Sequence, residues 1–198
     1  MKKSIVMILF LGILSHLVLA QRNDSILRSP QTELLQNLYL HSQAKKERRD
    51  YEGAKQDLLN IIKQNPTEDA AYFELALIEL QENNFEKAYQ LLQKAIEINP
   101  TQGRYDWAIG NIQCQWQKYD LGILYYDRAI NKGFSTDKIF YNRAIAHTSI
   151  KNYSQALNDY TRALTFNPNC KECYYNRGLL YLILGQKDFA ELDFELAK

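Results

Sequence analysis

Residues 69–102 read DAAYFELALIELQENNFEKAYQLLQKAIEINPTQ, and this stretch decides the fold. Tyr72, Leu75, Ala76 and Glu79 are spaced 3, 1 and 3 apart, the recurrence of one helical face. Asn83-Asn84 interrupts it. Phe85, Ala88, Leu92, Ala95 and Ile96 then form a second stripe. Asn99-Pro100 ends that stripe, because proline has no N–H to donate and disfavours helix in the residue before it. Two helices joined by a short turn make an antiparallel hairpin.

The same unit recurs on both sides. Asn65-Pro66, Asn99-Pro100 and Asn167-Pro168 fall on one 34-residue frame, the last after a double step. Tyr51, Phe85, Tyr119 and Tyr153 keep the same step. So do Ser42, Ala76, Gly110, Ala144 and Gly178 on the first helix, and Ala54, Ala88, Gly122, Ala156 and Ala190 on the second. Small residues at these places let the helices approach closely. A period of this length marks a solenoid, in which each unit buries its apolar face only by stacking on its neighbours. Five units fit, 35–68, 69–102, 103–136, 137–170 and 171–198, behind a lead-in over 21–34 that offers Ile26, Leu27 and Leu34 as a cover.

An internal pattern supports the hairpin. The seventh and twenty-third places of the units hold His41 and Asp57, Leu75 and Leu91, Ile109 and Tyr125, Arg143 and Asp159, Arg177 and Asp193. Basic meets acidic and apolar meets apolar, so these places are expected to touch across each hairpin.

The frame of aromatic, small residue, aromatic, alanine and proline, repeated at this step, resembles the tetratricopeptide repeat. Tyr174-Tyr175-Asn176-Arg177-Gly178-Leu179-Leu180-Tyr181 lies very close to that pattern. The resemblance implies an all-α, right-handed superhelical solenoid of antiparallel helix pairs, with the first helices lining a concave groove. It also implies a protein-binding role. Unit 103–136 departs from the frame. It has Asp106 where the family prefers a large apolar residue, Gly133-Phe134 in place of Asn-Pro, two helix-interior glycines and both tryptophans. It is the unit expected to be softest.

The stretch Met1–Ala20 stands apart. Lys2-Lys3 precede an apolar run from Ile5 to Leu14, and Val18-Leu19-Ala20 offers small residues before Gln21. This is the layout of a secretory signal peptide. The run is short for a bilayer span, which needs about 20 apolar residues. Cleavage after Ala20 removes two of 24 Lys and Arg and none of 23 Asp and Glu, leaving 22 against 23. A near-neutral chain argues against nucleic acid or anionic lipid as the main partner. The expected location is periplasmic or secreted, with no membrane insertion after cleavage.

The candidate site is the groove. Its fifth-place aromatics are Tyr39, Phe73, Trp107, Tyr141 and Tyr175. They either pave a platform for a peptide or pack between neighbouring first helices, and both can hold at once. Arg104, Asn111, Lys138, Asn142 and Asn176 accompany them as polar candidates. In chaperone-docking members of the resembled family, a lysine and paired asparagines clamp a terminal carboxylate. Lys138, Asn142 and Asn176 match part of that clamp, while the basic residues of a following unit are absent.

Catalytic signals are weak. His16, His41 and His147 are scattered, with no carboxylate or cysteine cluster to hold a metal. There is no phosphate loop and no strand. No cofactor is expected. Cys170 and Cys173 form a C-x-x-C at a unit junction, outside the βαβ setting of a thioredoxin-like site. They are read as a possible structural disulfide, or alternatively as a thiol-disulfide factor. Cys114 is assigned to helix packing. The sequence thus reads as a non-catalytic scaffold that binds a protein or peptide. A homo-oligomer formed through Leu192, Phe194 and Leu196 on the last helix is the remaining alternative.

Overall fold

The computed structural model describes residues 30–198, with side chains from Glu33 onward. The signal-peptide reading of 1–20, and Ile26 and Leu27 of the lead-in, lie outside the described residues. The chain divides into two compact units at Pro66–Thr67.

The first unit is one hairpin, α1 (Pro30–Glu47) and α2 (Tyr51–Gln64). Helix α1 begins before residue 35, so the end of the expected lead-in belongs to the first helix. Leu34 is exposed. Asp50 caps α2 by accepting the Gly53 N–H at 2.9 Å, the usual role of aspartate at a helix start. Ser42 and Ala54 are fully buried where the two helices meet.

The second unit holds four hairpins. They are α3 (Asp69–Gln81) with α4 (Phe85–Ile98), α5 (Gly103–Gln115) with α6 (Tyr119–Asn131), α7 (Asp137–Ser149) with α8 (Tyr153–Phe166), and α9 (Lys171–Ile183) with α10 (Lys187–Leu196). Each hairpin also packs on the next, and α5 touches α7. The small residues Ala76, Ala88, Ala144, Ala156 and Ala190 are buried to 0%.

Every hairpin turns in one way. Its fifteenth residue, Arg49, Asn83, Gln117, Lys151 or Gly185, takes φ between 60° and 75°. The following N–H then reaches a carbonyl five residues back, as in Asn84 to Glu79 and Asn152 to His147, both at 2.8 Å. That bond satisfies a carbonyl at the end of the first helix. The Asn-Pro corners do a second job. The Asn99 amide donates to Asp69 at 2.9 Å, and Asn167 donates to Asp137 at 3.3 Å. Each clasp ties the end of a repeat to its beginning. Unit 103–136 lacks it. There Gly133 adopts φ 83°, and Phe134 folds back onto Trp107 with centroids 5.8 Å apart.

The ion pairs form as the spacing predicts. Arg143 grips both Asp159 oxygens, at 2.7 and 2.6 Å. Arg177 grips Asp193 at 2.7 Å twice. The same arginines reach the preceding repeat, Arg143 to Asp127 at 2.5 Å and Arg177 to Thr161 at 3.1 Å. The first unit differs from expectation, because the partner of Asp57 is Lys45 at 2.7 Å rather than His41. Lys45 lies one turn further along α1, and its longer side chain carries the charge to the same carboxylate.

Asp106, the departure from the family frame noted in the sequence, is buried with 0% exposure. Arg128 approaches it at 3.0 Å and Lys132 makes a short ion pair with it. A buried charge needs such partners, since unpaired burial is costly.

His147 supplies a pH prediction. Burial holds its imidazole below the ordinary value of 6.5, and Arg143 acts in the same direction against the pull of Asp159 and Asp127. Its Nδ1 has no hydrogen-bond partner among the described residues. The unfolded chain therefore binds this proton more readily than the folded one. Its contribution to stability is full above the ordinary value and falls with pH below it. Denaturation midpoints of the wild type should drop more than those of His147→Gln between about pH 7 and 5. Parallel pH profiles would remove His147 from the acid response.

Candidate functional site

In the second unit, residues of α5, α7 and α9 come together on the first-helix face. Asn142 on α7 donates to Asn111 on α5 at 2.9 Å. Tyr126 donates to the same Asn111 oxygen at 2.8 Å, and burial pushes the Tyr126 phenol up. One step along, Asn176 on α9 donates to the Tyr141 hydroxyl at 3.2 Å. Asn142 and Asn176, both at the sixth place, thus bond back to the preceding repeat. The Asn111 amide nitrogen and the Asn142 and Asn176 carbonyl oxygens keep no partner among the described residues.

Open clefts flank this row. One of about 340 Å³ is lined by Asn111, Gln115, Tyr119 and Asn142. Another of about 390 Å³ is lined by Tyr141, Lys171, Glu172, Tyr175 and Asn176. A smaller one of about 180 Å³ lies between Lys138, Tyr141 and the Cys170–Cys173 pair.

The aromatic candidates separate by burial. Tyr175 is 53% exposed, with Phe194 beneath it at 5.8 Å between centroids. Tyr141 is half-buried, edge-on to Tyr160 at 6.0 Å. Trp107 packs among core residues of both neighbouring clusters, and its buried Nε1 has no partner among the described residues. Phe73 is only 6% exposed and packs on Tyr105 at 5.1 Å. It serves the core rather than the surface. Tyr39, in the first unit, is half-buried.

The polar candidates divide likewise. Lys138 is exposed. Arg104 is held in place. Its guanidinium lies 4.8 Å from the Phe73 ring centre and 5.1 Å from that of Tyr105, and it donates to the Tyr105 hydroxyl at 3.2 Å. The Tyr105 phenol, raised by burial to about 12, donates to Asp69 at 2.6 Å. Of the candidates, Asn111, Lys138, Tyr141, Asn142, Tyr175 and Asn176 line the clefts. Glu172, Lys171 and Gln115 are lining residues not among the sequence-derived candidates. Exposed polar residues carry no periodic signal, so nothing in the sequence marks them.

Cys170 and Cys173 are joined by a disulfide. Cys173 is buried in the core and Cys170 is half-buried at the start of α9. The bridge ties the N-cap residue of α9 to its first turn. Cys114 is free, and burial raises its thiol pKa. Among the described residues no group of histidine, cysteine and carboxylate side chains could hold a metal, and no helix is long and apolar enough to cross a membrane.

Four antiparallel hairpins packed one on the next in the second unit, at a 34-residue step, define a helical-repeat solenoid. Models described as tetratricopeptide repeat match residues 39–103, 138–170 and 171–198. The chain belongs to the tetratricopeptide-repeat family. Those spans leave 104–137 between them, the stretch that carries Asp106 and Gly133-Phe134. A stretch of 89 residues is 33% identical to heat shock protein STI1 of Saccharomyces cerevisiae, covering 44% of this chain and 15% of that one. The fold is similar to that of pilF from Pseudomonas aeruginosa, with TM-score 0.78, 17% identity, and 85% of this chain and 77% of that one covered. It is also similar to MamA from Desulfovibrio magneticus RS-1, with TM-score 0.74, 12% identity and coverage of 85% and 94%.

Proposed function

We propose that this chain is a non-catalytic protein-interaction scaffold, and that the first-helix face of its second unit holds an extended segment of a partner protein. The observation that carries this reading is the row of Asn111, Asn142 and Asn176 beside Tyr141 and Tyr175. Asparagine both donates and accepts, so it can pair with a peptide backbone whatever the partner's side chains. Tyrosine adds contact area with a polar tip, the combination favoured at binding hot spots. Lys138, Lys171 and Glu172 place charge of both signs along the rim.

The leader-like stretch Met1–Ala20 and the Cys170–Cys173 bridge support a periplasmic or secreted location, since disulfides persist in oxidising compartments. A mature chain beginning at Gln21 in N-terminal sequencing is the expected result. An intact Met1 would count against the location.

The groove is tested with a photo-crosslinking residue at position 175 of the full chain, expressed in the source cells. A defined adduct is expected there, and none with the same residue at Gln155, which is exposed on α8. Asn142→Ala with Asn176→Ala removes two hydrogen bonds of about 0.5–1.5 kcal/mol each, so the adduct should fall about tenfold. The helical spectrum should stay unchanged. Equal adducts at 175 and 155, or no loss in the double variant, would take the groove out of the account.

A further inference from the structure

We propose a second docking surface, the outward face of α10, which fits a basic amphipathic helix of a partner protein. Phe189, Leu192 and Leu196 are spaced 3 and 4 apart and form one stripe, 58%, 59% and 50% exposed. Single exposed apolar residues are ordinary, but an aligned stripe marks a contact. Asp188, Glu191 and Glu195 each precede one of these residues in the chain. They lie about 100° round the helix, as a second row parallel to the first. Asp188 and Glu191 have no ion pair or hydrogen bond among the described residues. Glu195 pairs with Lys198 at 2.6 Å.

The exposure of this face does not depend on what lies beyond α10. The corresponding residues are Lys87, Gln90 and Lys94 on α4, and Gln155, Asn158 and Arg162 on α8, all exposed or half-buried although a further hairpin follows each. There the face is polar. On α6 it reads Leu121, Leu124 and Arg128, and Arg128 turns to Asp106. Among these four second helices, α10 alone presents three apolar residues. Phe194, expected on the open surface, is instead half-buried against Tyr175.

Charge selects the occupant. A second α10 would bring another row of carboxylates against this one. An anionic lipid surface would meet the same repulsion. A helix with an apolar stripe and a parallel row of lysines satisfies both rows at once, as in helix recognition by apolar anchors with electrostatic complementarity.

The probe is a synthetic peptide of about 18 residues, long enough to hold a helix, with leucines at the 3-and-4 spacing and a lysine beside each. Its twin carries glutamate for every lysine. The full chain should bind the lysine peptide at least about tenfold more tightly than the twin, a preference that falls with added salt. Asp188→Lys, Glu191→Lys and Glu195→Lys together should invert it. Phe189→Ala with Leu192→Ala should weaken lysine-peptide binding about tenfold, with the helical signal intact. The proposal is overturned if neither peptide binds, if the twins bind equally, or if the reversed variant keeps the original preference. Self-association abolished by Leu192→Glu would assign the face to a second copy instead. Binding of phosphatidylcholine vesicles through the stripe would assign it to a membrane.

Discussion

Replacing Arg143 with methionine will destabilise the second unit by about 3–5 kcal/mol, the usual cost of orphaning a buried charge. Arg143 holds Asp159 through two parallel hydrogen bonds of 2.7 and 2.6 Å and reaches Asp127 with its third nitrogen. Asp159 is only 3% exposed. Burial alone would lower the guanidinium pKa, but the two carboxylates outweigh it and hold it above its ordinary value. Methionine fills a similar volume and offers no donor, so buried Asp159 would lose both of these hydrogen bonds. His147, at 3.9 Å, is the nearest alternative cation, and burial disfavours its charged form. Urea denaturation of Arg143→Met against the wild type measures the loss. The pair Arg143→Met with Asp159→Leu should recover about half of it, because an apolar replacement of both partners leaves no charge uncompensated. A single-variant loss below about 1 kcal/mol would make this an ordinary surface pair.

Gly122→Val should lower stability by about 3 kcal/mol, at the upper end of the overpacking range. Helices α5 and α6 cross at Gly110 and Gly122. A Cβ on Gly122 would lie 2.3 Å from Cys114 Sγ and 3.3 Å from the Gly110 carbonyl oxygen. The sulfur can rotate away, so Gly122→Ala should stay within about 1 kcal/mol of the wild type, its helix propensity offsetting the contact. Valine adds two methyl groups to the same crossing, and the Gly110 backbone has no rotamer to change. The thermal midpoint should fall by about 6–12 °C for a domain of this size. A valine variant melting within about 2 °C of the wild type would show that the helices separate at little cost.

The ion pairs Arg143–Asp159 and Arg177–Asp193 were legible in the sequence, because the seventh and twenty-third places change character together from repeat to repeat. Burial of the small residues followed from the same register. The pairing of Asp57 with Lys45 was not legible, since a lysine one turn away reaches the same carboxylate as a residue at the seventh place. Nor was the left-handed fifteenth residue. Arg49, Gln117 and Lys151 are of types that rarely take that backbone, and the hairpin imposes it on them.

The groove shows the same division. Five fifth-place aromatics look equivalent along the chain. Phe73 is sealed by Tyr105 and Arg104, Trp107 by Phe134, and Tyr175 stands open over Phe194. Asp106 looked like a defect in an apolar place, and it is the buried end of an ion cluster with Arg128 and Lys132.

The sequence by itself determined the 34-residue period, the helix pairs, their crossing points and the charges that match across each hairpin. These depend on spacing, and spacing survives in one dimension. Only the tertiary structure decided which rings and amides face water and which acid has a partner. Those outcomes depend on atoms brought in from another helix, and a residue's burial is a property of its neighbours in space.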